Sequence, residues 1–177
     1  MRKVRLYNES ALTYHKRYLK IQKQKYQAIM PFLQQGPILD VGVGTGIGLP
    51  SLIGLSPVVG VDGSIEMLGE AMRRNEEWKH RSSLVCFVCA VAEALPFRAH
   101  CMPTVISITM LQNLLDVRLG IEELTRVLQK DGTLAVTSLS RILPVQEIEA
   151  LLKMNYTIIR RFEGLAEEDD GVLVQLS

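Results

Sequence analysis

The chain has 177 residues, 47% of them apolar and 22% charged, with a net charge of +1. That fits one globular domain and argues against a disordered or strongly charged chain. The longest apolar run, Leu84 to Ala92, is half the roughly 18 residues of a membrane span, three cysteines are too few for a disulfide framework, and Tyr7, Asn8, Glu9 and Ser10 stand where a secretory leader would be apolar. The expectation is a cytoplasmic protein with no membrane contact, not a secreted mini-domain or a coiled coil.

In chain order, Leu12, Tyr18, Leu19, Tyr26, Ile29 and Leu33 recur at helical spacing and predict a helix over 8–34, ended by Gly36-Pro37. This start is basic. Residues 1–26 hold eight Lys or Arg and one acid, Glu9. Such an arm suits an anionic partner such as RNA, or a solvated helix face resting on a mildly acidic body. Ile38, Leu39 and Val41 form a short strand before a glycine-rich loop, and a short helix comes next over 47–54. Val58, Val59 and Val61 make a second strand. Ser64 caps a helix over 65–79. Leu84 to Val91 reads as a third strand and Thr104 to Ile108 as a fourth. An amphipathic helix over 117–128 and the turn Asp131-Gly132 precede a strand over 133–138. Pro144 opens a helix to about 152, and strands over 156–162 and 172–176 close the pattern.

Strands alternate with helices until the final pair, which the acidic turn Glu167 to Gly171 can fold into a hairpin. The expected fold is α/β and doubly wound, a mostly parallel seven-stranded sheet with a C-terminal antiparallel hairpin strand. Residues 1–36 would form a helical arm or lid on a domain spanning 37–177.

The loop reads Asp40-Val41-Gly42-Val43-Gly44-Thr45-Gly46 between a strand and a helix. A dinucleotide fingerprint, Gly-x-Gly-x-x-Gly, fails from Gly42 at Ile47 and from Gly44 at Leu49. The Gly-Lys-Ser/Thr of a phosphate loop is absent. What remains is an acid two residues before a Gly-x-Gly-x-Gly, with a second acid, Asp62, at the end of the next strand. A carboxylate at Asp62 can accept both hydroxyls of a ribose. One at Asp40 suits an ammonium. A nucleoside joined to an amino acid meets both needs, and S-adenosylmethionine is that ligand.

Residues 37–138 resemble the class I S-adenosylmethionine-dependent methyltransferases, which are Rossmann-like. The resemblance rests on Ile38-Leu39-Asp40-Val41-Gly42-Val43-Gly44-Thr45-Gly46, on Val59-Gly60-Val61-Asp62-Gly63-Ser64-Ile65-Glu66-Met67-Leu68, on Ala92-Glu93-Ala94-Leu95-Pro96-Phe97, and on Leu124-Thr125-Arg126-Val127-Leu128 with Asp131-Gly132-Thr133-Leu134. It implies that Asp62 holds the ribose and that Gly42, Gly44 and Gly46 shape the loop. Asp40 would organise the methionine end, and Gly63 and Met67 would lie near the adenine. Two positions depart from the family pattern. Val91 stands where an acid usually meets the adenine amine, leaving that base to the Ala92 amide and apolar packing. Met102-Pro103 replaces the usual Phe-Asp before strand four.

The segment from Ser107 and Ile108 through Thr109, Met110, Leu111, Gln112 and Asn113 faces the methyl group by the same resemblance. Gln112 and Asn113 either bond an acceptor or cap the next helix. The sequence lacks the Asn-Pro-Pro-Tyr or Asp-Pro-Pro-Tyr of relatives acting on planar amides and amines. The expected function is methyl transfer from S-adenosyl-L-methionine, releasing S-adenosyl-L-homocysteine, to RNA, protein or a small metabolite. The alternative is a non-catalytic cofactor-binding subunit of a methyltransferase complex. Tyr7, Tyr14 and Tyr18 fit a lid or core packing. Cys86 and Cys89, three apart on a strand, point to opposite faces, so no metal is expected and both read as buried reduced thiols. His15 and His80 read as solvated. The apolar strand 84–88 falls at the sheet edge of this family, where a small activator subunit or a second copy could pair.

Overall fold

The computed structural model describes residues 11–53, 56–76, 84–152, 156–166 and 169–176. Its elements are α1 (Ala11–Ile29), β1 (Ile38–Val41), α2 (Leu49–Leu52), β2 (Val58–Asp62), α3 (Ile65–Glu76), β3 (Val85–Cys89), β4 (Met102–Ser107), α4 (Val117–Val127), β5 (Leu128–Leu139), α5 (Val145–Leu151), β6 (Tyr156–Leu165) and β7 (Asp169–Leu176). Short 3₁₀ turns lie at Met30–Phe32 and Leu111–Asn113.

The seven strands run in the order β3-β2-β1-β4-β5-β7-β6. The first five are parallel, and β7 inserts antiparallel between β5 and β6. This is the doubly wound sheet expected from the alternation. All four residues of β1 are buried, as befits a central strand covered on both faces. On one face Leu39, Val41, Val105 and Val136 pack with Ile121 and Leu124 of α4 and Ile148 of α5. On the other, Ile38, Val58, Ile106 and Ala135 pack with Tyr26 and Ile29 of α1 and Leu49 and Leu52 of α2. The helix α1 thus contributes Tyr26 and Ile29 to this face of the core.

Three boundaries differ from the sequence reading for physical reasons. β4 begins at Met102 and contains Pro103, which is accommodated because the pairing with β5 shifts register between Met102 and Thr104. β5 reaches Leu139 because β7 pairs along it as far as Leu139 with Asp169. α2 is one turn long, started by Pro50 beside Gly48. The turn expected over Glu167 to Gly171 is shorter than that, since Asp169, Asp170 and Gly171 already belong to β7 and pair with β5, and Glu167 and Glu168 lie outside the described residues. Among the described residues, no helix is long and apolar enough to cross a membrane.

Gly48 marks where α1 meets the sheet. A Cβ there would lie 2.1 Å from a carbon of the Tyr26 ring, although Gly48 has an ordinary helical φ of −76°. Gly69, within α3, has nothing within 4 Å of the same position. Thermal unfolding should separate the two cases. Gly48→Ala is expected to destabilise by about 1–3 kcal/mol through overpacking, and Gly69→Ala to stabilise by about 0.5–1 kcal/mol through helix propensity.

Candidate functional site

The site is built at the carboxyl ends of the parallel strands, where β1 and β2 deliver two acids and a loop of positive-φ glycines joins them. Gly42, Gly44 and Gly46 have φ of 86°, 56° and 74°, a conformation that L side chains rarely adopt. The amides of Gly42 and Val43 donate to the Val61 carbonyl at 2.8 and 3.0 Å, tying the loop to β2. A Cβ on Gly42 would lie 2.5 Å from Met110 Cγ, and one on Gly46 would lie 2.9 Å from Leu49. At Gly44 nothing but the Gly42 carbonyl lies within 4 Å, at 3.9 Å. The loop is thus closed on two sides and open at its middle.

Asp62, at the end of β2, accepts from the Gly44 amide at 2.9 Å through Oδ2 and from the Ser64 amide at 2.9 Å through Oδ1. Burial raises its pKa, while the backbone amides of Ser64, Gly44 and Gly63 pull it back. Ser64 in turn caps α3 by accepting from the Met67 amide at 3.2 Å. The Met67 side chain is buried.

Asp40 lies one residue inside β1 and is 0% exposed. Its Oδ2 accepts from the Tyr26 hydroxyl at 2.8 Å, while its Oδ1 has no hydrogen-bond partner. Burial pushes its pKa up to about 7, the Tyr26 bond opposes this, and the charge of Asp62 adds to it. An unpaired carboxylate oxygen in such a place is costly and asks for a cation or a donor.

The remaining rim comes from the loops after β3 and β4. Val91 is 48% exposed and Ala92 is buried. Glu93 accepts from the Leu115 amide at 2.9 Å, joining these two loops. The Arg126 guanidinium donates to the carbonyls of Phe97 and Leu95 and pairs with Glu123, which also accepts from the Leu95 amide. Ser107 and Ile108 are buried at the end of β4, and Ser107 Oγ has no hydrogen-bond partner. Gln112 donates to the Thr109 carbonyl at 2.7 Å. Asp116, not Gln112 or Asn113, caps α4.

The sequence pattern puts these residues on the right elements but misses what α1 contributes. It marks Tyr26 only as an apolar helix position, whereas the Tyr26 hydroxyl meets Asp40. His15, expected to be solvated, is buried, with Nδ1 2.9 Å from the Thr45 hydroxyl. Lys25, read as part of a basic arm, is 0% exposed and paired with Asp169 at 2.8 Å. Tyr7 and His80 lie outside the described residues, and Tyr18 is half-buried with the Arg17 guanidinium 5.5 Å from its ring. Cys86 and Cys89, expected to be buried, are both exposed thiols, and among the described residues no three potential ligands cluster to hold a metal.

The profile of the methyltransferase domain family matches residues 39–136. A curated relative, demethylmenaquinone methyltransferase of Porphyromonas gingivalis, is 34% identical over 113 residues, covering 59% of this chain and 44% of the relative. The chain thus spans less than half the length of that relative. Among solved structures, an S-adenosylmethionine-dependent methyltransferase from Aquifex aeolicus superposes with a TM-score of 0.75 at 18% identity, covering 86% of this chain and 89% of its own. A methyltransferase from Haloferax volcanii, solved in complex with the Trm112 methyltransferase activator, superposes with a TM-score of 0.77 at 14% identity over 96% of each chain. These two likenesses confirm the fold. The donor set fits the family's cofactor, S-adenosylmethionine: Asp40 offers a buried oxygen without a partner, and the loop is open at Gly44. With its matched span covering more than half of the sequence, the chain belongs to the class I S-adenosylmethionine-dependent methyltransferase family.

Proposed function

We propose that this protein transfers a methyl group from S-adenosylmethionine to a nucleophile presented at the carboxyl ends of β1 and β4. The observation that carries the reading is the unpartnered Asp40 oxygen beside the open glycine loop. When bound, the cofactor supplies an electrophilic methyl on a sulfonium. Asp40 would receive its ammonium, and Asp62 its ribose hydroxyls through lone pairs not used by Gly44 and Ser64. Gly42, Gly44 and Gly46 would admit it against the backbone. Gly63, Met67, Val91 and the Ala92 amide would surround the adenine, and Ser107 and Ile108 would border the methionine end. Residues 1–36 would act as the lid of the domain over 37–177, with α1 reaching the site through Tyr26. In-line displacement gains much of its rate from placement alone, and a base is needed only where the acceptor must lose a proton.

The exposed side chains of Lys16, Arg17, Lys20 and Lys23 favour RNA as acceptor, since α1 carries no acid among its residues. The outer position of β3 favours a small activator subunit that adds a strand there. Leu84, Cys86 and Cys89 are exposed along it, while Val85 and Phe87 turn toward the α1 face of the core. The likeness to the Haloferax volcanii chain, solved with its activator, supports the same reading.

Four measurements test this. Below pH 7 the binding of an ammonium beside Asp40 must expel a proton, so calorimetry should show affinity for S-adenosylhomocysteine falling by up to about tenfold per pH unit. Asp40→Asn should flatten that profile. The same proton is held more tightly by the folded than by the unfolded chain, so Asp40 costs stability as pH rises from 3.8 toward about 7. The melting temperature of Asp40→Asn should therefore exceed that of the native protein at pH 8. A profile unchanged by the substitution would refute the role given to Asp40.

RNA affinity should fall with salt with a slope of about −0.7 per neutralised phosphate. Replacing Lys16, Arg17, Lys20 and Lys23 together by Ala should flatten the slope and leave S-adenosylhomocysteine affinity unchanged. A flat slope in the native protein would favour a protein or small-molecule acceptor.

Light scattering should find the isolated chain self-associated, and Cys86→Lys should reduce the association by placing charge on the exposed face of the edge strand. A clean monomer at high concentration would remove the case for a partner at β3.

A further inference from the structure

The segment after β4 holds a residue in an uncommon backbone conformation. Thr109 has φ of 56°, rare for a β-branched residue and sustained only where the surroundings over-determine it. Its surroundings do so from three elements. Lys25 Nζ of α1 donates to Thr109 Oγ1 at 3.0 Å. The Thr109 hydroxyl donates to Asp169 Oδ2 at 2.6 Å. The Thr109 amide donates to Thr137 Oγ1 at 2.9 Å, and the Thr137 hydroxyl donates to the same Asp169 oxygen at 2.7 Å. Lys25 and Asp169 close the network as an ion pair at 2.8 Å with neither side chain exposed.

A buried ion pair is a weak stabiliser, because desolvation offsets most of the Coulomb attraction. Two apolar side chains would serve as well to dock α1 on β7. The pair does something that apolar side chains cannot do: it supplies a donor and an acceptor that together fix the Thr109 hydroxyl. The next residue, Met110, lies against the glycine loop, and its placement follows from that turn. Met110 packs against Gly42, its Cγ 2.5 Å from the position of a Cβ there. Gln112 and Asn113 then fold back, with the Gln112 side chain on the Thr109 carbonyl and the Asn113 amide on the Met110 carbonyl at 2.8 Å. The turn at Thr109 thus sets where Met110 meets Gly42, and residues 112 and 113 are bonded back onto that same turn.

We propose that Lys25 is a positioning residue for methyl transfer: with Asp169 it locks Thr109 in its left-handed turn and so seats Met110 against Gly42 of the cofactor loop. The proposal rests on the methyltransferase reading above. Lys25 touches no reacting atom in this scheme and acts through Thr109.

The test compares the native protein, Lys25→Met and the charge-free double variant Lys25→Met/Asp169→Asn by amide hydrogen exchange, thermal unfolding and S-adenosylhomocysteine calorimetry. Lys25→Met is expected to lower the melting temperature, since it leaves the buried Asp169 carboxylate without its counter-charge, and the double variant to recover most of it. In both, exchange at residues 109–113 should be at least about tenfold faster than native, measured against the amides of α4 as an internal reference. Affinity for S-adenosylhomocysteine should be about tenfold weaker in both. A double variant with native exchange at 109–113, or exchange that rises equally in α4, would overturn the proposal. Failure of the native protein to bind S-adenosylhomocysteine would instead strike the methyltransferase reading, and the exchange comparison would still decide whether Lys25 fixes the turn.

Discussion

Asp40 is a carboxylate without solvent at the end of the central strand, and much of the architecture around it answers that constraint. Water cannot reach it, so a hydrogen bond must come from the protein. The Tyr26 hydroxyl provides one, which requires α1 to lie across the loop. For the Tyr26 ring to fit there, Gly48 must have no side chain. One oxygen is still left without a partner. The cost is tolerated by holding the carboxyl near its protonation point at neutral pH, where a bound cation can shift it to the charged form. A packed apolar residue at 40 would remove this cost, and with it the oxygen proposed to receive an ammonium.

The sheet, its order of elements and the glycine loop are legible in the sequence because they depend on local chemistry. A run such as Ile38-Leu39-Asp40-Val41 can be buried on both faces only as a central strand, and three glycines at alternate positions announce a backbone that other residues avoid. The seats of Asp40 and Asp62 at adjacent strand ends are legible for the same reason. The contributions of α1 are not. A tyrosine at an apolar helix position, a histidine in a charged stretch and a lysine among lysines look the same whether they face solvent or a partner far along the chain. His15 meets Thr45, 30 residues on, and Lys25 meets Asp169, 144 residues on. Nothing in the local sequence encodes either partner. Gly48 is no guide either, since in sequence it continues the alternate glycines of the loop, and only the structure shows an ordinary φ and a close neighbour in Tyr26.

Two kinds of polar order divide the site between them. Around Asp62 the donors are backbone amides of the loop and of the start of α3, so that half is fixed by strand and helix geometry and tolerates change in the side chains about it. Around Thr109 the donors and acceptors are side chains drawn from α1, β5 and β7, so that half depends on the identity of each of those side chains. The nucleoside end can be common to the family, while the segment proposed to meet an acceptor is tailored by residues outside the span of the family match, such as Lys25 and Asp169.

The antiparallel seat of β7 between β5 and β6 has a consequence for how the protein is made. A ribosome delivers α1 and the whole parallel sheet long before it delivers Asp169. Until β7 arrives, docking α1 would bury the Lys25 ammonium without a counter-charge, a state several kcal/mol uphill. Docking the helix before β7 carries that cost, and the long loop it closes also weighs against early docking. The nascent sheet spends that interval with the face meant for Tyr26 and Ile29 open to water, which makes this the stage at which the chain most needs a chaperone or a partner.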